Sequence, residues 1–254
     1  MPKKIDKIDE ALEKIRSRKI LKDSEERKIA SEVFDQQTLQ TLYKIANKGY
    51  IEVLNGVIST GKEANVFKGF VNSDIVAVKI YRIATSDFRK MENYILGDPR
   101  FDVRMSNRRQ IVYTWVKKEY SNLKRAYKAK VRVPKPITSR NNVLVMEFIG
   151  DKYGNPAPTL RELPPDDPDK TFEKIILYYK RLYNDAKLVH GDFSTFNILN
   201  LDGEPVIIDL SQAVVVDHPL SMELLNRDIH NIVNDFRKLG VKTSFDEVKN
   251  MILD

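Results

Sequence analysis

The chain has 254 residues, of which 42% are hydrophobic and 31% are charged, so it is long and apolar enough to bury a core. It contains no cysteine and three histidines, which excludes disulfides, thiolate metal sites and cysteine nucleophiles and argues against a histidine-rich metal centre. No stretch approaches the roughly 18 apolar residues of a membrane span and no signal-peptide core is present, so we expect a cytoplasmic protein without membrane contact.

The net charge of +7 is concentrated in one stretch, Arg100 to Lys135, which holds twelve Lys and Arg residues against only Asp102 and Glu119. Such a patch suits a phosphate-rich partner such as RNA, because contacts with phosphates release counterions. A solvated helix face would carry the same charges, and the sequence leaves both interpretations open.

The first part of the chain, residues 1–48, is predicted to be an N-terminal helical extension. Apolar residues recur at near-helical spacing between Ile5 and Ile20, and a second helical stripe runs from Asp35 to Ala46. A meander of antiparallel strands should follow, because three runs rich in β-branched residues lie close together. These runs are Ile51 to Ser59, Ala64 to Val71 and Asp74 to Tyr81.

Residues 84–110 contain few apolar side chains and the Gly97-Asp98-Pro99 turn signal, which predicts a long mobile loop with Ser106 as a candidate phosphorylation site. The later elements are predicted from periodicity and turn signals. They are a helix from Ile111 to Lys130, a strand from Asn142 to Phe148, a proline-rich connector from Pro156 to Pro168, a helix from Thr171 to Ala186, a hairpin from Ile198 to Ile208 and a helix from Ser221 to Leu239.

The predicted hairpin carries the clearest chemical signal. Asp202-Gly203 is a strong two-residue turn, and folding the chain there brings Asn197 alongside Asp209. An amide oxygen and a carboxylate at adjacent strand ends form an oxygen-only site suited to Mg²⁺, with Mn²⁺ as a possible substitute. Asp192 precedes Asn197 by five residues and can lie over this site.

His190-Gly191-Asp192 followed by Asn197 resembles the catalytic loop of protein kinases, and Asp209 stands where their metal-binding D-F-G motif begins. Val76-Ala77-Val78-Lys79 resembles the kinase strand whose lysine binds phosphates. Glu119 shares a helical stripe with Trp115 and Leu123, and a carboxylate on an apolar face requires a partner, so we expect an ion pair between Lys79 and Glu119.

The loop from Ser59 to Ala64 lies between two predicted strands, so its backbone N–H groups, the Ser59 hydroxyl and the neighbouring Lys62 and Glu63 are candidates for phosphate binding. Gly56 through Lys62 also fits the start of a Walker A loop. That motif must open a helix and place Ser or Thr after the lysine, whereas here Glu63 and a predicted strand follow.

Together these motifs resemble the RIO family of atypical kinases, especially its Rio-one branch. They are S-T-G-K-E-A, V-A-V-K-I-Y-R, H-G-D-F-S-T-F-N-I-L and I-D-L-S-Q. The resemblance implies ATP and Mg²⁺ as cofactors, Asp192 as the catalytic aspartate, Asn197 and Asp209 as metal ligands, and Asp209 as a possible phosphoryl acceptor. It also implies a hinge at Met146, Glu147 and Ile149 for adenine, and a role in small ribosomal subunit maturation.

Departures from ordinary kinases affect the expected substrate. Gly191 replaces an arginine, Leu210-Ser211 replaces Phe-Gly, and we expect no room for an activation loop. A slow ATPase or a self-phosphorylating switch is therefore as plausible as a kinase of extended peptides. Asp228, on the last predicted helix, is a candidate to brace the catalytic loop.

The resulting prediction is an α+β, two-lobed protein-kinase-like fold. Residues 49–150 would form a lobe with a twisted antiparallel sheet and one helix, and residues 151–254 a mainly helical lobe that carries the metal-site hairpin. The alternative from another class is a catalytically weak RNA- or ribosome-binding pseudoenzyme that uses the basic region from 100 to 135.

Overall fold

The structure, a computed structural model, describes residues 34–84, 87–101 and 107–254. Most of the predicted extension and Ser106 lie outside these residues. Within them, helix α1 spans Gln36–Ala46 and begins at Asp35, whose carboxylate accepts a 2.8 Å hydrogen bond from the Thr38 N–H. The second helical stripe predicted for the extension is thereby confirmed.

Five antiparallel strands form the main sheet, in the order β1-β2-β3-β5-β4. They are β1 (Val53–Thr60), β2 (Ala64–Val71), β3 (Asp74–Tyr81), β4 (Pro136–Arg140) and β5 (Val143–Glu147). The predicted meander is confirmed, and its tight turn places both Asn72 and Ser73 at positive φ. Strand β4 was not predicted because prolines surround it, and it occupies an edge, where a missing N–H is tolerated.

The predicted loop over residues 84–110 is wrong for residues 88–95, which form helix α2 (Phe88–Ile95). Asp87 caps this helix through the Lys90 N–H, and Met91, Tyr94 and Ile95 bury one side of it. These three apolar residues, set among charged ones, are what drives the segment to fold against the core. Helix α3 (Arg108–Lys128) follows and begins three residues earlier than predicted, because Asn107 caps it.

The second lobe is mainly helical, with α4 (Pro168–Asn184), α5 (Ser221–Lys238) and α6 (Phe245–Leu253). Its hairpin consists of β7 (Ile198–Leu201) and β8 (Glu204–Ile207), and β6 (Leu188–Val189) pairs with β9 (Val214–Val215). The predicted hairpin and the helices α4 and α5 are confirmed with boundary shifts of a few residues. Helix α6, with a capping box at Ser244 and Glu247, was not predicted.

Two apolar clusters stabilise this arrangement. A small cluster lies between α1 and one face of the sheet, and includes Ile45, Val78 and Val145. A larger cluster runs from the other face through α3, where Trp115 is fully buried, into the helices of the second lobe. The result is the two-lobed α+β arrangement expected from the sequence, while the predicted lobe boundaries stay predictions. None of the described helices is long and apolar enough to cross a membrane.

Candidate active site

Lys79, on strand β3, lies at the centre of the predicted site. Its Nζ is 2.8 Å from Glu119 Oε1 and 2.9 Å from Asp209 Oδ1, and the Tyr81 hydroxyl donates to the second Glu119 oxygen. The predicted pair of Lys79 and Glu119 is confirmed. The contact with Asp209 was not predicted, because 130 residues separate it from Lys79 along the chain.

These charges alter one another's protonation. Burial opposes the charged form of Lys79, but the carboxylates of Asp209 and Glu119 raise the pKa of Lys79 well above its usual value. Burial also opposes ionisation of Asp209, yet the charge of Lys79 and hydrogen bonding by Ser211 lower the pKa of Asp209 to about 2. Burial outweighs the charge of Lys79 at Glu119 and raises the pKa of that carboxyl. At neutral pH, Asp209 is therefore an ionised carboxylate, and its side chain is 42% exposed to the cleft.

The catalytic loop brings Asp192 and Asn197 together. The Asn197 amide nitrogen donates to the Asp192 carbonyl at 2.8 Å and to Asp192 Oδ2 at 3.1 Å. Ile208 N–H donates to the Asn197 carbonyl at 2.9 Å, so the hairpin places Asn197 next to the strand end that carries Asp209. This is the juxtaposition predicted from the Asp202-Gly203 turn.

The donor atoms at this end of the hairpin fit a magnesium ion. Because the Asn197 nitrogen is committed to Asp192, its amide oxygen is the atom available to a cation, together with the Asp209 carboxylate. Among the described residues, no three His, Cys, Asp or Glu side chains converge on a ready-made metal cage. A small set of oxygen donors suits Mg²⁺, which keeps several waters and binds substrate phosphates.

Asp228 supports the predicted catalytic loop through hydrogen bonds to its backbone, as hypothesised. Its fully buried carboxylate accepts hydrogen bonds from Gly191 N–H at 2.7 Å, Phe193 N–H at 2.9 Å and the Tyr179 hydroxyl at 2.6 Å. Burial raises the pKa of Asp228, so these three donors stabilise a charge that would otherwise be costly.

Gly191 is required at its position in this loop by the local backbone. It has φ +80°, a left-handed conformation, and a Cβ there would lie 3.0 Å from the Gln212 carbonyl oxygen. The neighbouring Arg227 donates to the Gly191 carbonyl and, at 3.2 Å, to the Tyr94 hydroxyl of α2. An arginine in place of Gly191, as in ordinary kinases, would not fit this packing.

His190 is buried and links Asp192 to the hairpin through its two ring nitrogens. Its Nδ1 accepts from Asp192 N–H at 3.3 Å, which leaves Nε2 to donate to the Ile208 carbonyl at 3.1 Å. Both ring nitrogens are thus committed to holding Asp192 against the hairpin, and neither is left to act as a base.

The loop from Ser59 to Ala64 forms the tip of the β1–β2 hairpin. Gly61 N–H donates to the Ala64 carbonyl at 2.9 Å, while Ser59 and Lys62 are exposed. Burial raises the pKa of Glu63, and the charges of Lys90 and of the central ion-pair residues also act on it. Because a strand begins at Ala64, the Walker A alternative is excluded.

The residues predicted to form the hinge lie at the end of strand β5 and just after it. Met146 is partly buried opposite Ala77, and the Glu147 side chain makes two 3.0 Å bonds to Arg132. Glu147 N–H donates to the Lys135 carbonyl, and the Ile149 carbonyl accepts from Ala157 N–H.

Several residues that support the site were missed by the sequence analysis. Gln212 Nε2 lies 3.3 Å from Asp192 Oδ2, and Asp235 accepts from Thr195 through both the backbone N–H and the hydroxyl. Lys118 and Asn122 are fully buried and bind the loop after Asp209. Lys118 and Asn122 lie four residues apart and so share one side of α3, but in this Lys-rich helix no sequence signal marks them as buried.

The fold and the site together define a small phosphotransferase of the protein-kinase type. A sequence profile described as the RIO domain matches residues 65–249. The chain belongs to the RIO family, in its Rio1 branch, and is by class a kinase.

Relatives of known sequence support this placement. The chain is 46% identical to the RIO-type serine/threonine-protein kinase Rio1 of Haloferax volcanii, over 91% of this chain and 80% of that protein. It is also 46% identical to the Rio1 kinase of Methanocaldococcus jannaschii, over 96% of this chain and 81% of that protein. The solved Rio2 kinase-ADP/Mg²⁺-phosphoaspartate complex from Chaetomium thermophilum shares the fold, with a TM-score of 0.66 and 24% identity over 85% of this chain and 65% of that chain.

Replacing Asp228 by alanine is expected to lower the free energy of unfolding by about 3 kcal/mol and to slow turnover of ATP, because three buried donors lose their acceptor. Urea unfolding followed by circular dichroism, together with ATP turnover, measures both effects. Asn234→Ala, at an exposed position of the same helix, is the matched control. Unchanged stability and turnover in Asp228→Ala would contradict the bracing role.

The carboxyl of Asp209 is expected to titrate near pH 2 in a ¹³C NMR titration, with its signal assigned by its loss in Asp209→Asn. In Lys79→Met it should titrate at a higher pH than in the wild type, because burial then acts without the opposing charge of Lys79. Since the folded-state pKa is depressed, this carboxylate stabilises the fold above about pH 4, and the contribution is lost as the pH falls through about 2. Equal titration in both proteins would show that the ion pair does not form in solution.

Proposed function

We propose that the chain is an ATP- and Mg²⁺-dependent atypical serine/threonine kinase with ATPase activity, which transfers the γ-phosphoryl group to itself, to water or to a protein. The observation that carries the proposal is the position of the Lys79 ammonium between Glu119 and the ionised Asp209, next to Asp192 and Asn197. Phosphoryl transfer requires a cation that binds phosphate, which Lys79 supplies. It also requires oxygen-bearing side chains that bind the metal or accept a proton, and these are Asp209, Asn197 and Asp192.

In this proposal, ATP lies between the lobes. The hinge at Met146, Glu147 and Ile149 binds adenine, and Ser59 and the backbone of the β1–β2 tip contact the phosphates together with Lys62. Glu63, close to the central ion pair, would face the phosphate and metal region. Lys79 holds the α- and β-phosphates in the geometry set by Glu119.

Asn197 and Asp209 are the residues proposed to hold Mg²⁺, and Mn²⁺ would fit the same oxygen donors. When bound, the ion supplies charge neutralisation for the transferring phosphoryl group. The reacting atoms must also be placed accurately. The loop that carries Asp192 does this, because Asp228 and His190 hold it in position.

The low pKa of Asp209 suits it as a nucleophile. One carboxylate oxygen would attack the γ-phosphorus, the bond from that phosphorus to the β,γ-bridging oxygen would break, and ADP would leave. Water or a hydroxyl would then attack the resulting acyl phosphate and regenerate the carboxylate, with Asp192 accepting the proton. The phosphoaspartate named for the Chaetomium thermophilum Rio2 complex supports this route.

A role in small ribosomal subunit maturation is part of the proposal and rests on the basic surface. Of the twelve cations predicted to form it, Arg100, Arg109 and Arg132 pair with carboxylates and Lys118 is buried. Exposed lysines remain along α3 and just beyond it, at Lys117, Lys124, Lys128, Lys130 and Lys135. Tyr127, 45% exposed among them, adds a ring for base stacking, which favours RNA over a merely solvated face. Such a partner implies a cytoplasmic site of action.

Incubation with γ-labelled ATP and Mg²⁺ is expected to label the chain with phosphate that hydroxylamine removes, because acyl phosphates react with this nucleophile. Asp209→Asn should remain unlabelled while retaining the left-handed backbone at this position, which Asn tolerates. Asp217→Asn, at an exposed position shortly after strand β9, controls for loss of a carboxylate.

Hydroxylamine-stable label that persists in Asp209→Asn would redirect the proposal to a serine acceptor, with Ser106 the first to test. Absence of both label and ATP hydrolysis in the wild type would overturn the enzymatic proposal. The RNA-binding pseudoenzyme would then be the better interpretation.

A triple variant, Lys117→Ala, Lys124→Ala and Lys128→Ala, is expected to bind a small-subunit rRNA fragment more weakly and to reduce the slope of log affinity against log salt by about 2 to 3. Fluorescence anisotropy across a salt series measures this. The control variant replaces Lys48, Lys170 and Lys242, which are exposed elsewhere on the chain. Equal losses in both variants would show that RNA binding is not specific to the α3 surface.

A further inference from the structure

The segment that follows Asp209 is held in an unusual way. Leu210 to Ala213, here called the post-aspartate loop, lies between α3 and the catalytic loop, and its first residue is preceded by Asp209 at φ +58°. A left-handed conformation is unfavourable for a residue with a side chain, and it persists only where the surroundings hold it. Neighbouring groups must therefore hold this backbone.

Two side chains of α3 supply most of that support. Lys118 Nζ donates to the Ser211 carbonyl at 3.0 Å and to the Ala213 carbonyl. Asn122 Nδ2 donates to the Leu210 carbonyl at 3.0 Å and to the Ala213 carbonyl at 2.8 Å. Three carbonyls of the post-aspartate loop are thus bonded to one helix by four hydrogen bonds.

Burial of the polar side chains of Lys118 and Asn122 costs free energy. Lys118 and Asn122 are 0% exposed, and Lys118 is enclosed by Trp115 and Tyr94, with its Nζ 5.1 and 5.9 Å from their ring centroids. Burial lowers the pKa of Lys118 to about 7, and the charge of Asp98 offsets this only in part. An apolar side chain would fill the same space at less cost, so packing alone does not account for a lysine here.

The same helix also carries Glu119, which fixes Lys79. Neighbouring residues of α3 therefore hold the two partners of one ion pair: Glu119 holds the ammonium, and Lys118 with Asn122 holds the backbone that presents the Asp209 carboxylate. The post-aspartate loop also reaches the catalytic aspartate through Gln212, whose amide lies 3.3 Å from Asp192 Oδ2.

We infer that Lys118 and Asn122 are positioning residues for phosphoryl transfer, which clamp the post-aspartate loop to α3 and so hold Asp209 in the orientation that the reaction uses. The inference rests on the proposed function, because it assigns these residues a role in that reaction. Helix α3 then positions both Lys79, which binds phosphate, and Asp209, which binds metal and accepts phosphate.

The test compares Lys118→Met and Asn122→Leu, which keep side-chain volume and remove the donors, with Lys242→Met and Asn250→Leu, the same changes at exposed positions. The rate of hydroxylamine-sensitive labelling at saturating ATP should fall by on the order of tenfold to a hundredfold in the first pair. The Mg²⁺ concentration for half-maximal labelling should rise. The dissociation constant for ATP should stay within about twofold of the wild type, since the hinge and the pair of Lys79 and Glu119 remain.

A merely structural role predicts a different pattern, in which ATP affinity and labelling rate fall together or the fraction of nucleotide-binding protein drops while its rate is unchanged. Either pattern overturns the inference, as does a rate within twofold of the wild type in folded protein. If Lys118→Met does not fold, Asn122→Leu decides by the same criteria. Absence of both labelling and ATP hydrolysis in the wild type overturns the proposed function and this inference together, whereas wild-type labelling with unaffected variants overturns the inference alone.

Discussion

A buried ammonium that faces two carboxylates is the interaction on which the rest of the site depends. The desolvation of Lys79 costs several kcal/mol and is offset only if both carboxylates stay within hydrogen-bond distance. Glu119 comes from α3 and Asp209 from the hairpin of the second lobe, so the ion pair fixes three separate parts of the chain relative to one another. The ion pair thus couples the relative position of these three parts to the protonation of the site.

Few groups support the predicted catalytic loop next to this interaction. Ordinary kinases surround the catalytic loop with an activation segment, whereas here the loop is held from inside the molecule, by Asp228 on one side and by the post-aspartate loop on the other. The support from Asp228 uses a buried carboxylate bonded to backbone N–H groups, which specifies position more sharply than apolar contacts do.

Much of the fold and of the central site could be predicted from residue patterns, because the signals were local. The Asp202-Gly203 turn brings Asn197 to Asp209, and β-branched runs with a tight turn define the meander. Helix α2 was missed because only three apolar residues mark it, and β4 because prolines flank it. The contact of Lys79 with Asp209 and the burial of Lys118 could not be predicted, since charged residues in a Lys-rich helix look alike until the packing of α3 is known.

The 130 residues between Lys79 and Asp209 also bear on how the molecule assembles. Closing so large a loop is entropically expensive, so the ion pair gains stability only after the sheet of one lobe and the hairpin of the other have formed. The strands and helices rest mainly on short-range pairings, such as the β2–β3 and β7–β8 turns. During refolding, secondary structure should therefore return before nucleotide turnover, and the cleft should be the first region to open again when the molecule is stressed.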